Sequence, residues 1–153
     1  MRNITHWGCM VLALAGVQSI ASAQAPRLTG AWNSNVTITD CQTGEALRSI
    51  RALDLFVHDG SFTETAASLT PARPRSSSVG TWRHLRGDTF TSTFEFFRYN
   101  PDGSLFSTAK VTRTIELSED GNQFTSVGTV EDFDPNGVRI SLSCPTEVAM
   151  RVE

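Results

Sequence analysis

From Leu28 onward the chain alternates between apolar and polar positions. Across Leu28–Thr39, Trp32, Val36 and Ile38 share one parity while Asn33, Asn35 and Thr37 share the other, which is the two-residue period of a half-buried strand. Arg48–His58 carries Leu53, Leu55 and Val57 on one face, and Asp59-Gly60 turns the chain into Ser61–Thr65, a tight hairpin. Strand signals resume over Val79–Arg86, Thr89–Tyr99, Leu105–Leu117, Gln123–Phe133, Val138–Cys144 and Glu147–Val152. Between them stand Asn100-Pro101-Asp102-Gly103, Glu119-Asp120-Gly121-Asn122 and Asp134-Pro135-Asn136-Gly137. Asn, Asp and Gly suit hairpin turns, while the Phe, Val, Ile and Thr between them suit a pleated surface.

No segment shows a helical repeat, so the chain reads as all-β, an antiparallel up-and-down meander. An open sheet of about nine strands would leave two unpaired edges, and closure removes both. We therefore expect an eight- or nine-stranded barrel, formed as one domain over residues 28–153. One stretch breaks the rhythm. Residues 66–78 contain Pro71, Pro74 and Ser76-Ser77-Ser78, which offer little apolar surface and two missing backbone donors. A loop of this length in a compact β domain is a surface excursion or a lid over a cavity.

The first residues look like an address. Met1-Arg2, the apolar run Cys9–Val17 and the small residues before Ala21-Ser22-Ala23 match a signal peptide over residues 1–23, with an alternative cleavage after residue 25. The run is too short to span a bilayer, which takes about 20 residues. Cleavage after residue 23 takes away one basic side chain, Arg2, leaving 12 basic against 16 acidic residues, a net charge of −4. That balance argues against nucleic acid or an anionic membrane as a partner. Cys41 and Cys144 then remain as the only thiols in a chain sent to a periplasmic or extracellular compartment, and a disulfide between them is expected. His58 and His84 supply no paired ligands for a metal, and no cofactor-binding motif is present.

Gly30-Ala31-Trp32 at the start of the first mature strand resembles the G-x-W of lipocalins and their calycin relatives, including avidin-type barrels. The resemblance implies that Trp32 plugs one end of the barrel and that an Arg from the end of the meander, here Arg151, packs over it. It also implies a lipocalin-like interior that takes small ligands. The chain departs from that family in lacking an evident helix after the barrel and in carrying its long loop after the third strand.

Candidate chemistry is sparse. Arg113 shares parity with Val111, Ile115 and Leu117, and an inward charge is costly unless paired. Glu64, on the parity of Phe62, is a candidate partner. Either Arg113 alone or the pair could hold the carboxylate of a fatty or aromatic acid. Phe90, Phe94 and Phe96, with Trp82 on the preceding strand, form the densest aromatic face and either line a ligand cavity or fill a solid core. His84 stands between Arg83 and Leu85 with no nucleophile or orienting carboxylate beside it. Ser107-Thr108-Ala109-Lys110 matches S-x-x-K of the penicillin-recognising hydrolases, yet no S-D-N or K-T-G follows. Asn35-Val36-Thr37 is a glycosylation sequon, relevant where the host glycosylates.

Three classes of function fit this sequence. The first is an exported lipocalin-like barrel binding a small apolar or carboxylate-bearing ligand, anchored by Arg113 and Glu64 with the 66–78 loop at its mouth. The second is a small-barrel isomerase or cyclase resembling allene oxide cyclase or dirigent proteins. The third is a solid-core structural or protein-binding module.

Overall fold

The alternation closes into a ring. The computed structural model describes residues 27–68 and 73–153; the signal segment at 1–23 and its cleavage points lie outside them, as do residues 69–72. Eight antiparallel strands follow in chain order: β1 (Gly30–Thr39), β2 (Ala46–Phe56), β3 (Ser61–Ser68), β4 (Ser78–Arg86), β5 (Thr89–Tyr99), β6 (Leu105–Leu117), β7 (Gln123–Phe133) and β8 (Arg139–Arg151). Each pairs with the next, and β8 returns to pair with β1, so the barrel is closed. The expected turns sit between the strands, closed by hydrogen bonds from Gly103 N to Asn100 O, Gly121 N to Ser118 O and Gly137 N to Asp134 O, each 2.9 Å. Among the described residues no helix is long and apolar enough to cross a membrane.

Several strand limits shift by one or two residues from the sequence expectation, and two differences go further. The segments read as two strands, Val138–Cys144 and Glu147–Val152, are one strand, β8, that runs through Pro145. Its pairing with β7 lapses between Thr146, opposite Val127, and Ser143, opposite Val130. A residue without an N–H is tolerated at such a gap. The third strand extends to Ser68, three residues into the expected loop. The far side of that loop is tied down, with Ser76 N donating to Phe97 O and Tyr99 N to Pro74 O, each at 2.9 Å.

One end of the barrel is packed solid. Trp32 is fully buried, donates from Nε1 to Leu28 O at 3.0 Å and meets Phe124 edge-on at 4.9 Å. Phe56, Phe62, Trp82 and Phe90 complete this layer. Each such ring contributes about 1.5–3 kcal/mol by burial, and the edge-on geometry of Phe56 with Trp82 and Phe124 suits aromatic quadrupoles.

Arg151 closes the same end. Its guanidinium lies 4.2 Å from the Trp32 ring and donates to the backbone carbonyls of Gly121, Thr29 and Arg27. Gly30 has φ 129°, and a Cβ there would come within 2.8 Å of the Arg151 guanidinium. The glycine two residues before Trp32 thus leaves room for the arginine that covers it. At the opposite end Cys41 and Cys144 are disulfide-bonded with Cα atoms 5.1 Å apart. Cys144 faces Thr39 across the β1–β8 seam, so the bond clasps the strands whose pairing closes the barrel.

Candidate functional site

The candidate site begins where the solid aromatic layer stops, at Arg113. This side chain points inward from β6 and is 5% exposed. Its guanidinium carbon lies 5.0–5.8 Å from the ring centres of Phe56, Phe62, Phe94 and Phe124. Gly128 stands opposite it on β7, and a Cβ there would lie 2.8 Å from that of Arg113 and 2.3 Å from Thr112 O. A glycine in this strand is what lets the backbone pass so close.

All three arms of the Arg113 guanidinium are engaged. Nη1 donates to Glu147 Oε2, Nη2 to Asp54 Oδ1 at 3.4 Å and Nε to Ser92 Oγ at 2.9 Å. Ser34 donates to Asp54, and Ser126 donates to Glu147 Oε2 at 2.6 Å. Glu147 Oε1 is buried with no partner. Six strands therefore contribute one polar side chain each to a buried network around a single cation.

One cation cannot fully compensate two buried carboxylates, and their acidities separate. Burial pushes Asp54 up to about 7, opposed by Arg113 and reinforced by Glu147. Burial also acts to raise Glu147, but Arg113 and the serine hydrogen bonds outweigh it and hold this carboxyl below its ordinary range. The shorter Arg113 contact and the Ser126 hydroxyl both fall on Glu147, so the negative charge resides there.

Above this network the barrel is hollow. A cavity of about 530 Å³ opens over Arg113, Glu147, Ser126 and Glu64, above the roughly 300 Å³ at which ligand pockets begin. Its walls are Val36, Ile50, Ala66, Phe94, Phe96, Val111 and Val130, and its rim carries Arg48, Arg73, Arg75 and Arg98. Two of these arginines are neutralised. Arg75 reaches in from the loop to Glu64, with Nη2 at 2.7 Å from Oε2, and stacks 3.5 Å over Phe96. Arg98 pairs with Asp132 at 2.7 Å.

The other two are not. Among the described residues neither Arg48 nor Arg73 forms an ion pair. Arg73 lies 3.7 Å over Phe106 and donates to Asn100. Arg48 Nε is buried without a hydrogen-bond partner. Burial and the neighbouring charges of Arg98 and Arg75 lower its pKa, with Asp132 opposing, yet a guanidinium stays protonated. The rim is therefore a crowd of like charges with hydrogen-bonding capacity to spare.

The sequence-derived candidates divide. Arg113, Glu64, Phe94 and Phe96 all border the cavity, but Glu64 is bonded to Arg75 and Ser78 and not to Arg113. Phe90 and Trp82 meet at a tilt, ring centres 5.9 Å apart, in the solid layer and do not line the cavity. Asp54, Glu147 and the arginines of the rim were not found from sequence. His84 is exposed, and its Nε2 lies 2.7 Å from Gly87 O. Ser107 points inward to Asp132 while Lys110 lies on the opposite parity, so the S-x-x-K residues do not meet. Comparison with family models, curated proteins and solved structures yields no match to this chain.

Proposed function

We propose that the protein is an exported, lipocalin-like barrel that holds a small, largely apolar ligand with an anionic group in the chamber above Arg113. One observation carries this reading: a cavity of about 530 Å³ with apolar walls has at its rim two arginines, Arg48 and Arg73, that form no ion pair among the described residues. Guanidinium groups suit carboxylate and phosphate oxygens geometrically as well as electrically. Arg113 becomes part of the floor in this reading, because each of its three nitrogens already donates to a buried partner. The Trp32–Arg151 stack supports the likeness to lipocalins, and the Cys41–Cys144 bond is compatible with an oxidising, exported location.

Native mass spectrometry with a panel of saturated fatty acids, followed by displacement of a fluorescent fatty acid, tests the proposal. One ligand per barrel is expected, with affinity falling about tenfold in Arg48→Gln, the loss of roughly one charge-assisted hydrogen bond. Absence of binding across the panel overturns it.

A catalytic reading, an isomerase or cyclase on a small barrel, draws on the separation of the Asp54 and Glu147 acidities, which is how paired carboxyls are assigned acid and base roles. Asp54, however, does not line the chamber. Turnover abolished by Glu147→Gln would favour this reading.

A further inference from the structure

Outside the barrel rim lies a second hollow of about 380 Å³, lined by Leu47, Phe106 and Leu142 together with Ser141, Ser143 and Asp132, whose carboxylate is already paired with Arg98. It shares Ile38, Arg48, Arg73 and Arg98 with the chamber. The arginines thus stand at the boundary between two spaces instead of at the end of one. On the outer side Leu47 is 58% exposed and Leu142 46% exposed. A fatty acid whose carboxylate met Arg48 would fill the chamber and leave this outer space to water.

Resting on the reading above, we infer that the ligand is a two-armed anion: a negatively charged group between a longer hydrocarbon arm in the barrel and a shorter arm in the outer hollow. A phosphodiester is the simplest such chemistry. Its anion would sit between Arg48 and Arg73, with the shorter arm against Leu47, Phe106 and Leu142. Leu47, Phe106 and Leu142 outside the cationic boundary, with the apolar chamber walls inside it, suit a molecule charged at its middle, whereas one charged at its end would use the inner side alone.

Dodecyl phosphate and dodecyl butyl phosphate separate the possibilities. The monoester carries more negative charge near pH 7, because its second ionisation lies near pH 6, so electrostatics alone favours it. The inference expects the diester to bind about tenfold more tightly, from burial of the butyl arm. It also expects the ratio of the two affinities to approach one in the Leu47→Ser/Leu142→Ser double variant, in which only exposed side chains change. Failure of both esters to bind overturns the reading of the preceding subsection. Binding of both with a ratio of one or less in the unaltered protein overturns the two-armed ligand alone. A tenfold ratio that persists in the double variant also overturns it, since the arm then lies elsewhere.

Discussion

Arg113 on β6 and Glu147 on β8 meet inside the barrel across 34 residues of sequence, with β7 between their strands, and neither is more than 5% exposed. The pair marks the level at which the solid half of the barrel gives way to the hollow half. Buried ion pairs repay their desolvation only when both partners are present and hydrogen-bonded.

Removal of one partner should therefore be costly. Glu147→Ala leaves a buried guanidinium facing Asp54 alone, and we expect a loss of about 3–5 kcal/mol in stability, read as a lowered urea midpoint with unchanged slope. Replacement of Arg113 and Glu147 together by Met and Leu should cost less than Glu147→Ala by itself. A double variant less stable than the single one would show that the pair holds the barrel together through net attraction.

The pH dependence follows from Asp54. Its folded pKa is raised from 3.8 to about 7, so between those values the folded state holds a proton that the unfolded state has released. The associated stability is fully present below pH 4 and is lost as pH rises toward and through 7. Glu147, lowered from 4.5, acts in the opposite sense, and its contribution disappears as pH falls below that value. Urea midpoints should therefore decline from pH 5 to pH 8, and Asp54→Asn should flatten the decline. A midpoint that rises over this interval in the unaltered protein would contradict the assignment of charge to Glu147 and the proton to Asp54.

How much of this was legible in the sequence depends on the strand. On β1, β5 and β6 the larger apolar residues face inward, so Trp32, Phe94, Phe96 and Arg113 were placed on the correct face from parity alone. On β2 and β8 the parity misleads. Leu53 and Leu55 are 58% and 42% exposed while Ala52, Asp54 and Phe56 point inward; Val148 and Met150 are exposed while Glu147 and Ala149 are buried. A rule that puts the more apolar face inside hides Asp54 and Glu147, the two carboxylates the interior cation selects. The available signal was compensation: an inward Arg113 requires inward acids, and Asp54 and Glu147 stand on the less apolar faces of their strands. Glu64 met that requirement, but the loop delivers Arg75 to it first, and no local pattern announces that contact. The closure at Trp32, by contrast, was expected from the resemblance of Gly30-Ala31-Trp32 to a G-x-W motif, and its physical reason, the crowding of Gly30 against Arg151, is visible only in the structure.

Opening the clasp at the mouth should destabilise the fold without dissolving the site. The Cys41–Cys144 bond joins residues 103 apart, for which the chain-entropy treatment gives up to about 4.7 kcal/mol. The Cys41→Ser/Cys144→Ser variant should unfold at a lower urea concentration, by about 3–5 kcal/mol in free energy, while the β1–β8 ladder, which pairs eight residues of β1 from Trp32 to Thr39, keeps the barrel closed. Unchanged near-ultraviolet circular dichroism in the oxidised protein and the serine variant, beside the lowered midpoint, is the expected pair of results. Loss of the aromatic signal in the variant would mean that the disulfide determines closure instead of reinforcing it.

At the other end the arginine cap is expected to be specific to its guanidinium. Arg151 donates from three nitrogens to three carbonyls, Gly121 O at 3.0 Å, Thr29 O at 2.9 Å and Arg27 O at 2.5 Å, with its guanidinium carbon 4.2 Å over the Trp32 ring. Lysine keeps the charge but presents one nitrogen on a flexible stem, so it cannot span all three acceptors. Each carbonyl left without its donor costs about 1 kcal/mol where water reaches it and up to about 3 where it does not. Arg151→Lys should therefore lose about 2 kcal/mol, close to the loss from Arg151→Ala, since geometry and not charge is what the site uses. Gly30→Ala should cost a similar amount by a different route, because its Cβ would approach the guanidinium to 2.8 Å at a φ of 129°, a conformation that side chains disfavour. If crowding by that Cβ is the cause, combining Gly30→Ala with Arg151→Ala restores part of the loss, and a double variant whose deficits simply add would place the strain in the backbone alone.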